Sequence, residues 1–323
     1  MLDISNYIYN NYKVRKNRKQ KSEFIDFIKF ACISRGIPCN IEEGGIHKNR
    51  NIIIGNLNEA ELMITAHYDT PAVLPFSNYL APNSRLSRSF YLAKILICMC
   101  LILGVFSTLI SFIISDSFII LLLLLFLVTI FGILSIYGKP NPNNSNDNTS
   151  GVITLTEIIF GISNIDFNKL VFVLFDNEEK GYLGSQLFKK RNKKLVNSSM
   201  MINFDCVSDG DNILIVQNRG VLKNEQFKRD LEEAFVGDNV KNVIFTSSRK
   251  SRMCSDQKSY PNGVGIVALK KNKQSVLYLD KIHTKNDINF NENNIVFLRK
   301  CTLNLINNFC ADKNKELKCI QAY

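Results

Sequence analysis

The sequence predicts an α/β protein: a central mixed β-sheet flanked by helices, with an inserted two-helix hairpin able to span a membrane. Three observations predict it. Short β-rich apolar runs alternate with stretches of helical periodicity, and residues 89–137 are almost wholly apolar. Several strand-like runs also end in a histidine or a carboxylate, at the edge where open α/β sheets collect their ligands.

Residues 22–34 carry Phe24, Ile25, Phe27, Ile28, Phe30 and Ala31 at helical spacing, and Gly36-Ile37-Pro38 ends the pattern. Residues 52–54, 62–66, 170–175, 200–204, 213–216, 243–245 and 264–269 read as strands. Residues 151–162, 183–191, 224–235 and 292–309 read as helices, and the asparagine-rich stretch 141–148 reads as loop. No internal repeat is visible.

Within the apolar block, residues 90–114 and 117–137 each suffice to cross a hydrocarbon layer of ~30 Å, which takes about 20 helical residues. Neither run has a polar face, so a buried helix pair of a soluble protein fits poorly. Arg85, Arg88 and Lys94 stand at the front of the hairpin and Lys139 follows it, with no Lys or Arg between Lys94 and Lys139. By the positive-inside tendency both outer ends are cytoplasmic. The opening Met1-Leu2-Asp3-Ile4-Ser5-Asn6 has no secretory-signal pattern, as expected of a chain that starts in the cytosol. The expected organisation is therefore a soluble α/β domain in two parts, 1–88 and 138–323, around a hairpin at 89–137. The expectation is a multi-pass protein of the cell membrane whose soluble domain faces the cytoplasm.

With 323 residues, 46% of them hydrophobic, the chain can bury a full core. Its nine cysteines are scattered, without a close metal-ligand pair or a regular framework, which fits a reducing compartment. Cys98, Cys100 and Cys206 read as small hydrophobes. The net charge of +11 comes from dispersed lysines without the aromatic-interleaved basic stripe of a nucleic-acid binder, so no nucleic-acid partner is expected. An anionic bilayer surface, which attracts roughly 1 kcal/mol per Lys or Arg, suits it better. His47, His67 and His283 are the three histidines.

His67 follows the apolar run 62–66, Asp176-Asn177-Glu178-Glu179 follows 170–175, and Asp205 follows 201–204. Asp147 lies just ahead of the helix opening at Gly151, and His283 follows the apolar Val276-Leu277-Tyr278-Leu279. Two imidazoles with several carboxylates suit zinc, which takes nitrogen and carboxylate ligands and keeps a position open for water. Five protein ligands exceed the need of one catalytic zinc; two metals about 3.5–4 Å apart, sharing one carboxylate, would use them all and polarise a carbonyl. Of the adjacent Glu178 and Glu179, one can ligate while the other receives a proton from water. Taken singly these signals are weak, since a His after a strand is often structural and an Asp-Asn pair is often a turn. Their ordered combination is the signal.

That combination resembles zinc metallopeptidase family twenty-eight, which includes bacterial leucyl aminopeptidases, glutamate carboxypeptidase and the transferrin receptor. The matching stretches are Thr65-Ala66-His67-Tyr68-Asp69-Thr70, Asn146-Asp147-Asn148-Thr149-Ser150-Gly151-Val152, Phe175-Asp176-Asn177-Glu178-Glu179-Lys180-Gly181-Tyr182-Leu183-Gly184-Ser185, Asn203-Phe204-Asp205 and Ile282-His283-Thr284-Lys285-Asn286-Asp287. The resemblance implies a zinc-dependent exopeptidase fold and two Zn2+ ions per chain, other divalent metals being open. One ion would be held by His67 and Asp205, the other by Glu179 and His283, with Asp147 bridging. It further implies Glu178 as general base, Asp69 as acceptor of a hydrogen bond from the His67 ring, and Asp287 as a supporting residue.

Two departures stand out. Relatives often carry Ser-Asp-His before the last strand, where this chain has Ser255-Asp256-Gln257-Lys258-Ser259-Tyr260. Asp256, Gln257 and Tyr260 are thus expected to line the substrate pocket with an altered preference. The hairpin is the other departure, standing between His67 and Asp147 where relatives use a short loop; it should leave and re-enter at one edge, close to the site.

The expected function is that of a membrane-anchored aminopeptidase acting on peptides. The alternatives are a glutaminyl-cyclase-like single-zinc enzyme and a non-catalytic receptor or scaffold of the same fold. A transporter role fits poorly, because the hairpin's ionisable residues stand only at its ends and tip. A homo-oligomer held through the hairpins is left open.

Overall fold

The structure, a computed structural model, describes residues 1–162 and 169–320, with side chains up to residue 309. Residues 163–168 and 321–323 of the expected second segment lie outside the described residues. In chain order the elements are α1 (Asp3–Asn11), α2 (Arg18–Ile33), β1 (Cys39–Gly44), β2 (Asn49–Gly55), β3 (Leu62–His67), α3 (Arg85–Ser111), α4 (Ser117–Tyr137), α5 (Gly151–Gly161), β4 (Leu170–Phe175), α6 (Leu183–Arg191), α7 (Lys193–Ser198), β5 (Met200–Phe204), β6 (Asn212–Gln217), α8 (Glu225–Ala234), β7 (Asn242–Ser247), β8 (Gly263–Lys271), β9 (Leu277–Tyr278) and α9 (Glu292–Ile320).

One mixed sheet runs in the order β1-β2-β4-β3-β5-β8-β6-β7, with β9 on β8. Its centre, β4-β3-β5-β8, is parallel; β2 joins β4, and β6 joins β8, in antiparallel fashion. All residues of β3 and β4 are buried, because helices cover both faces, and this explains their uninterrupted apolar runs. The larger core lies under α2, α5, α8 and α9, and a smaller one holds Phe175, Phe188, Val196 and Tyr260 on the other face.

Register is what positions the site. His67 pairs with Phe175 and Ala66 with Phe204, so His67, the turn after Phe175 and Asp205 all emerge at the same end of the parallel centre.

Helices α3 and α4, of 27 and 21 residues, are long and apolar enough to cross a membrane. At about 1.5 Å per residue each reaches the ~30 Å of a hydrocarbon layer. They pack on each other, and none of their residues is buried. The first helix starts at Arg85, ahead of residue 90, and ends at Ser111; Asp116 opens the second by accepting from the Phe118 and Ile119 N–H groups at 2.8 and 3.3 Å. The strands leading in and out lie side by side: Val73 N–H donates to the Lys139 carbonyl at 3.0 Å, and Asn141 N–H to the Pro71 carbonyl at 3.1 Å.

Stretch 141–148, read as loop from composition, is instead a buried hub that runs into a π-type turn, Ser145–Ser150. Its amides replace an apolar core by satisfying main-chain groups. Asn148 Nδ2 donates to the carbonyls of His67 (3.3 Å) and Phe204 (3.0 Å), and its Oδ1 accepts from Gly151 N–H (3.1 Å) and Cys206 N–H (3.2 Å). A side chain at Gly151 would lie 2.6 Å from the Phe204 carbonyl oxygen, so only glycine lets the hub sit this close.

Candidate metal centre

Each candidate ligand sits where a regular element stops. His67 ends β3, Asp205 follows β5, and Glu178 and Glu179 occupy a tight turn between β4 and α6. Asp147 lies at the kink of the turn ahead of α5, and His283 follows β9. Of the six positive-φ residues other than glycine among the described residues, Asn177, Tyr182, Cys206 and His283 all border this centre. Backbone strain of this kind persists where surrounding contacts over-determine it.

Two carboxylates hold the ligand-bearing turns by the same device. Asp69 accepts hydrogen bonds from Glu178 N–H at 2.9 Å and Glu179 N–H at 3.2 Å. Asp287 accepts from Asn146 N–H and Asp147 N–H, both at 3.0 Å. The His67 ring faces Asp69 as expected: Nδ1 lies 3.6 Å from the Asp69 carboxylate and 3.1 Å from its main-chain oxygen.

Asp147 sits between two triads. Its Oδ1 is 3.4 Å from His67 Nε2, which is 3.6 Å from Asp205 Oδ1. Its Oδ2 is 3.2 Å from His283 Nε2, which is 3.3 Å from Glu179 Oε2. The structure therefore brings together all five predicted ligands, as two groups each able to hold a metal ion and sharing Asp147.

Electrostatics test whether a cation fits. Burial pushes Glu178 well above the usual carboxylate range, helped by Glu179, Asp205 and Asp256, and pushes Glu179 up to about 8. His283 rises to about 9: burial disfavours its charged form, but Glu179 and Asp147 outweigh that. His67 is likewise raised, against burial, by Glu178, Asp147, Asp205 and Asp69. Too many carboxylates share too little positive charge, so protons are drawn in. Glu179 Oε1 and Asp205 Oδ1 are buried without a hydrogen bond to any described residue. Oxygen and imidazole donors left in this state suit a divalent cation.

A cleft of about 280 Å³ opens on the centre, lined by Asp147, Glu178, Glu179, Asp205 and His283, with Asn78, Leu80, Tyr182, Cys254 and Ile282 around them. Gln257 and Tyr260, expected as pocket residues, do not line it. Gln257 Oε1 accepts from Asn203 at 3.0 Å, and Tyr260 packs in the smaller core with its hydroxyl donating to the Ser185 carbonyl at 2.8 Å. Asp256 is buried and does not line the cleft either; burial chiefly raises it to about 7, and its charge acts on Glu178. Leu80, Tyr182 and Ile282 were not singled out from sequence, since apolar connector residues carry no chemical mark. Cys206 packs in a small apolar cluster, its thiol raised by burial.

No curated protein matches the chain. Among solved structures, the LapA aminopeptidase of Legionella pneumophila is 13% identical with a TM-score of 0.56, over 94% of this chain and 70% of that one. Porphyromonas gingivalis glutaminyl cyclase is 15% identical with a TM-score of 0.61, over 94% and 96%. A Zn-dependent exopeptidase from Parabacteroides distasonis is 15% identical with a TM-score of 0.55, again over 94% and 96%. At such identities the likeness is one of fold, and the fold is the one expected. Residues 136–305 match the description "Peptidase family M28", more than half the chain and all but one of the five gathered ligands. The chain thus belongs to peptidase family M28.

Proposed function

We propose that the protein is a membrane-anchored, two-zinc exopeptidase, an aminopeptidase that removes N-terminal residues from peptides at the cytoplasmic membrane face. The observation that carries this reading is the splayed carboxylate of Asp147, with one oxygen 3.4 Å from His67 Nε2 and the other 3.2 Å from His283 Nε2. His67, Asp205 and Asp147 would hold one ion, and Glu179, His283 and Asp147 the other. Zinc bound there supplies Lewis acidity, polarising the scissile carbonyl and acidifying water. Glu178 lines the cleft without belonging to either triad, which leaves its carboxylate free to take the water proton and deliver it to the leaving amine nitrogen. The new bond joins water oxygen to carbonyl carbon as the C–N bond breaks. The catalytic unit comprises residues 1–88 and 138–323, with residues 89–137 in the bilayer.

Glu178→Gln is expected to retain zinc and lose about 10²–10⁴-fold in peptide hydrolysis. Unchanged turnover in that variant would refute the assignment. A second reading, a single-zinc glutaminyl cyclase, is favoured by the likeness to the P. gingivalis enzyme over nearly its whole length. The triad of Asp147, Glu179 and His283 could serve it alone. Metal analysis separates the two, at two ions per chain against one, alongside assay of a free-amine peptide panel and an N-terminal glutaminyl peptide.

A further inference from the structure

The turn that carries Glu178 and Glu179 has a second face. There Asn177 and Lys180, instead of the two glutamates, line a pocket of about 150 Å³ closed by Lys16, Arg18, Lys48 and Arg50. Positive charge there is unbalanced. The pocket's one carboxylate, Asp176, is already engaged by Lys21 Nζ and by Arg50 N–H at 2.9 Å. Arg18 has only an exposed partner, Glu43 at 3.7 Å, while Lys16, Lys48, Arg50 and Lys180 have no carboxylate within ion-pair reach among the described residues. The first turn of α2, at Arg18, adds the positive end of a 16-residue helix.

The pocket's position says what would fill it. Lys16 Nζ donates to the Ile136 carbonyl at 2.6 Å, and Lys180 Nζ lies 5.4 Å from the ring centre of Tyr137. Both contacts are to the last turn of α4, so the pocket sits where that helix would leave the hydrocarbon and meet headgroups.

We propose that this pocket binds the phosphate of an anionic phospholipid headgroup, on the side of the catalytic turn opposite the metal cleft. The proposal rests on the membrane reading given above. Lys16, Lys48, Arg50 and Lys180, none ion-paired to a carboxylate among the described residues, present cationic donors to a phosphate diester, with Arg50 also held by Ser22 Oγ at 2.7 Å and the Arg18 carbonyl at 3.1 Å. A zwitterionic headgroup would bring its own cation into a site that repels it.

The test uses the full chain in non-ionic detergent, with native mass spectrometry counting retained phosphatidylglycerol against phosphatidylcholine. Wild type should prefer phosphatidylglycerol, and the exposed double variant Arg18→Glu/Lys48→Glu should lose that preference by about tenfold or more, with zinc content and hydrolysis of a small peptide unchanged. Equal retention by both proteins overturns the pocket. Phosphorus NMR with inorganic phosphate forms the second arm: variant-sensitive phosphate binding without lipid preference overturns the lipid assignment in favour of a soluble phosphate. The membrane reading is checked separately, by alkaline carbonate extraction from neutral vesicles. Release of wild type there sinks the anchoring, whatever the headgroup result.

Discussion

Asp69 and Asp287 touch no candidate open position, yet each fixes a pair of consecutive main-chain N–H groups beside a ligand. Partners of this kind commonly cost 10–100-fold in metal affinity or activity when removed. Asp69→Ala is accordingly expected to weaken zinc binding by about that factor in chelator competition, with Asp69→Asn, which keeps an acceptor oxygen, falling between. An Asp69→Ala protein with wild-type zinc affinity would show that the turn holds itself. Protonation gives a second prediction at this scale. In metal-free protein His283 is raised from 6.5 to about 9, so its stabilising contribution is full below pH 6.5 and lost as pH climbs towards 9. Glu179, raised from 4.5 to about 8, must be ionised against burial over much of the same range, which also lowers stability with rising pH. Asp69, lowered to about 2 despite burial by Lys21 and His67, acts oppositely but only below pH 4. Chelator-treated protein should therefore melt at higher temperature at pH 6 than at pH 9, with zinc restoring most at pH 9. A metal-free Tm that rises over this interval would contradict the charge balance described for the site.

At the scale of elements, the buried Lys21–Asp176 pair ties α2 to the root of the turn that carries Glu178 and Glu179, and Lys21 Nζ also donates to Asn177 Oδ1 at 2.8 Å. Removing one partner of a buried pair typically costs 3–5 kcal/mol because the other charge is stranded. Lys21→Met is expected to lose about that much in denaturant unfolding; a loss under 1 kcal/mol would mean that water reaches Asp176. Much at this scale was legible in the sequence. Strands β3, β4 and β5 announced themselves because burial on both faces leaves only apolar residues, and their ends carried His67, Glu179 and Asp205 into view. Strand β1 did not: it is an edge strand whose Cys-Asn-Ile-Glu-Glu-Gly sequence is largely solvent-facing and reads as polar loop. The asparagine hub was missed for the converse reason. Its amides are buried against main-chain groups, a use of polar side chains that composition cannot distinguish from solvation. The five gathered candidate ligands were legible because metal chemistry restricts residue type, whereas Gln257 and Tyr260 lie outside the cleft because pocket lining does not restrict it.

For the whole molecule, the connector leading into the hairpin runs against the segment from β9 to His283: Leu74 N–H donates to the His283 carbonyl at 2.8 Å and Leu80 pairs with Leu279. Tyr79 stacks on both Tyr91 of α3 and Tyr278 of β9, at 4.7 and 6.1 Å between ring centres. The cleft thus opens beside the base of the hairpin. Replacing residues 90–137 by a short loop should yield a soluble enzyme that hydrolyses small peptides at close to the parent rate but acts at least about tenfold more slowly on peptides tethered to vesicles, as expected when a shared surface no longer raises effective concentration. Equal rates on both substrates would deny the hairpin any part in substrate choice.

The order of strands carries a consequence for biosynthesis. β3 lies between β4 and β5, yet both of those neighbours, and every candidate ligand except His67, are translated only after α3 and α4. On the ribosome, His67 must wait beside an unpaired strand until the two greasy helices have emerged and been dealt with. The gathered metal-ligand set therefore cannot be completed before the hairpin has been synthesised, and under the proposed membrane reading the centre would close only once that hairpin had reached a bilayer.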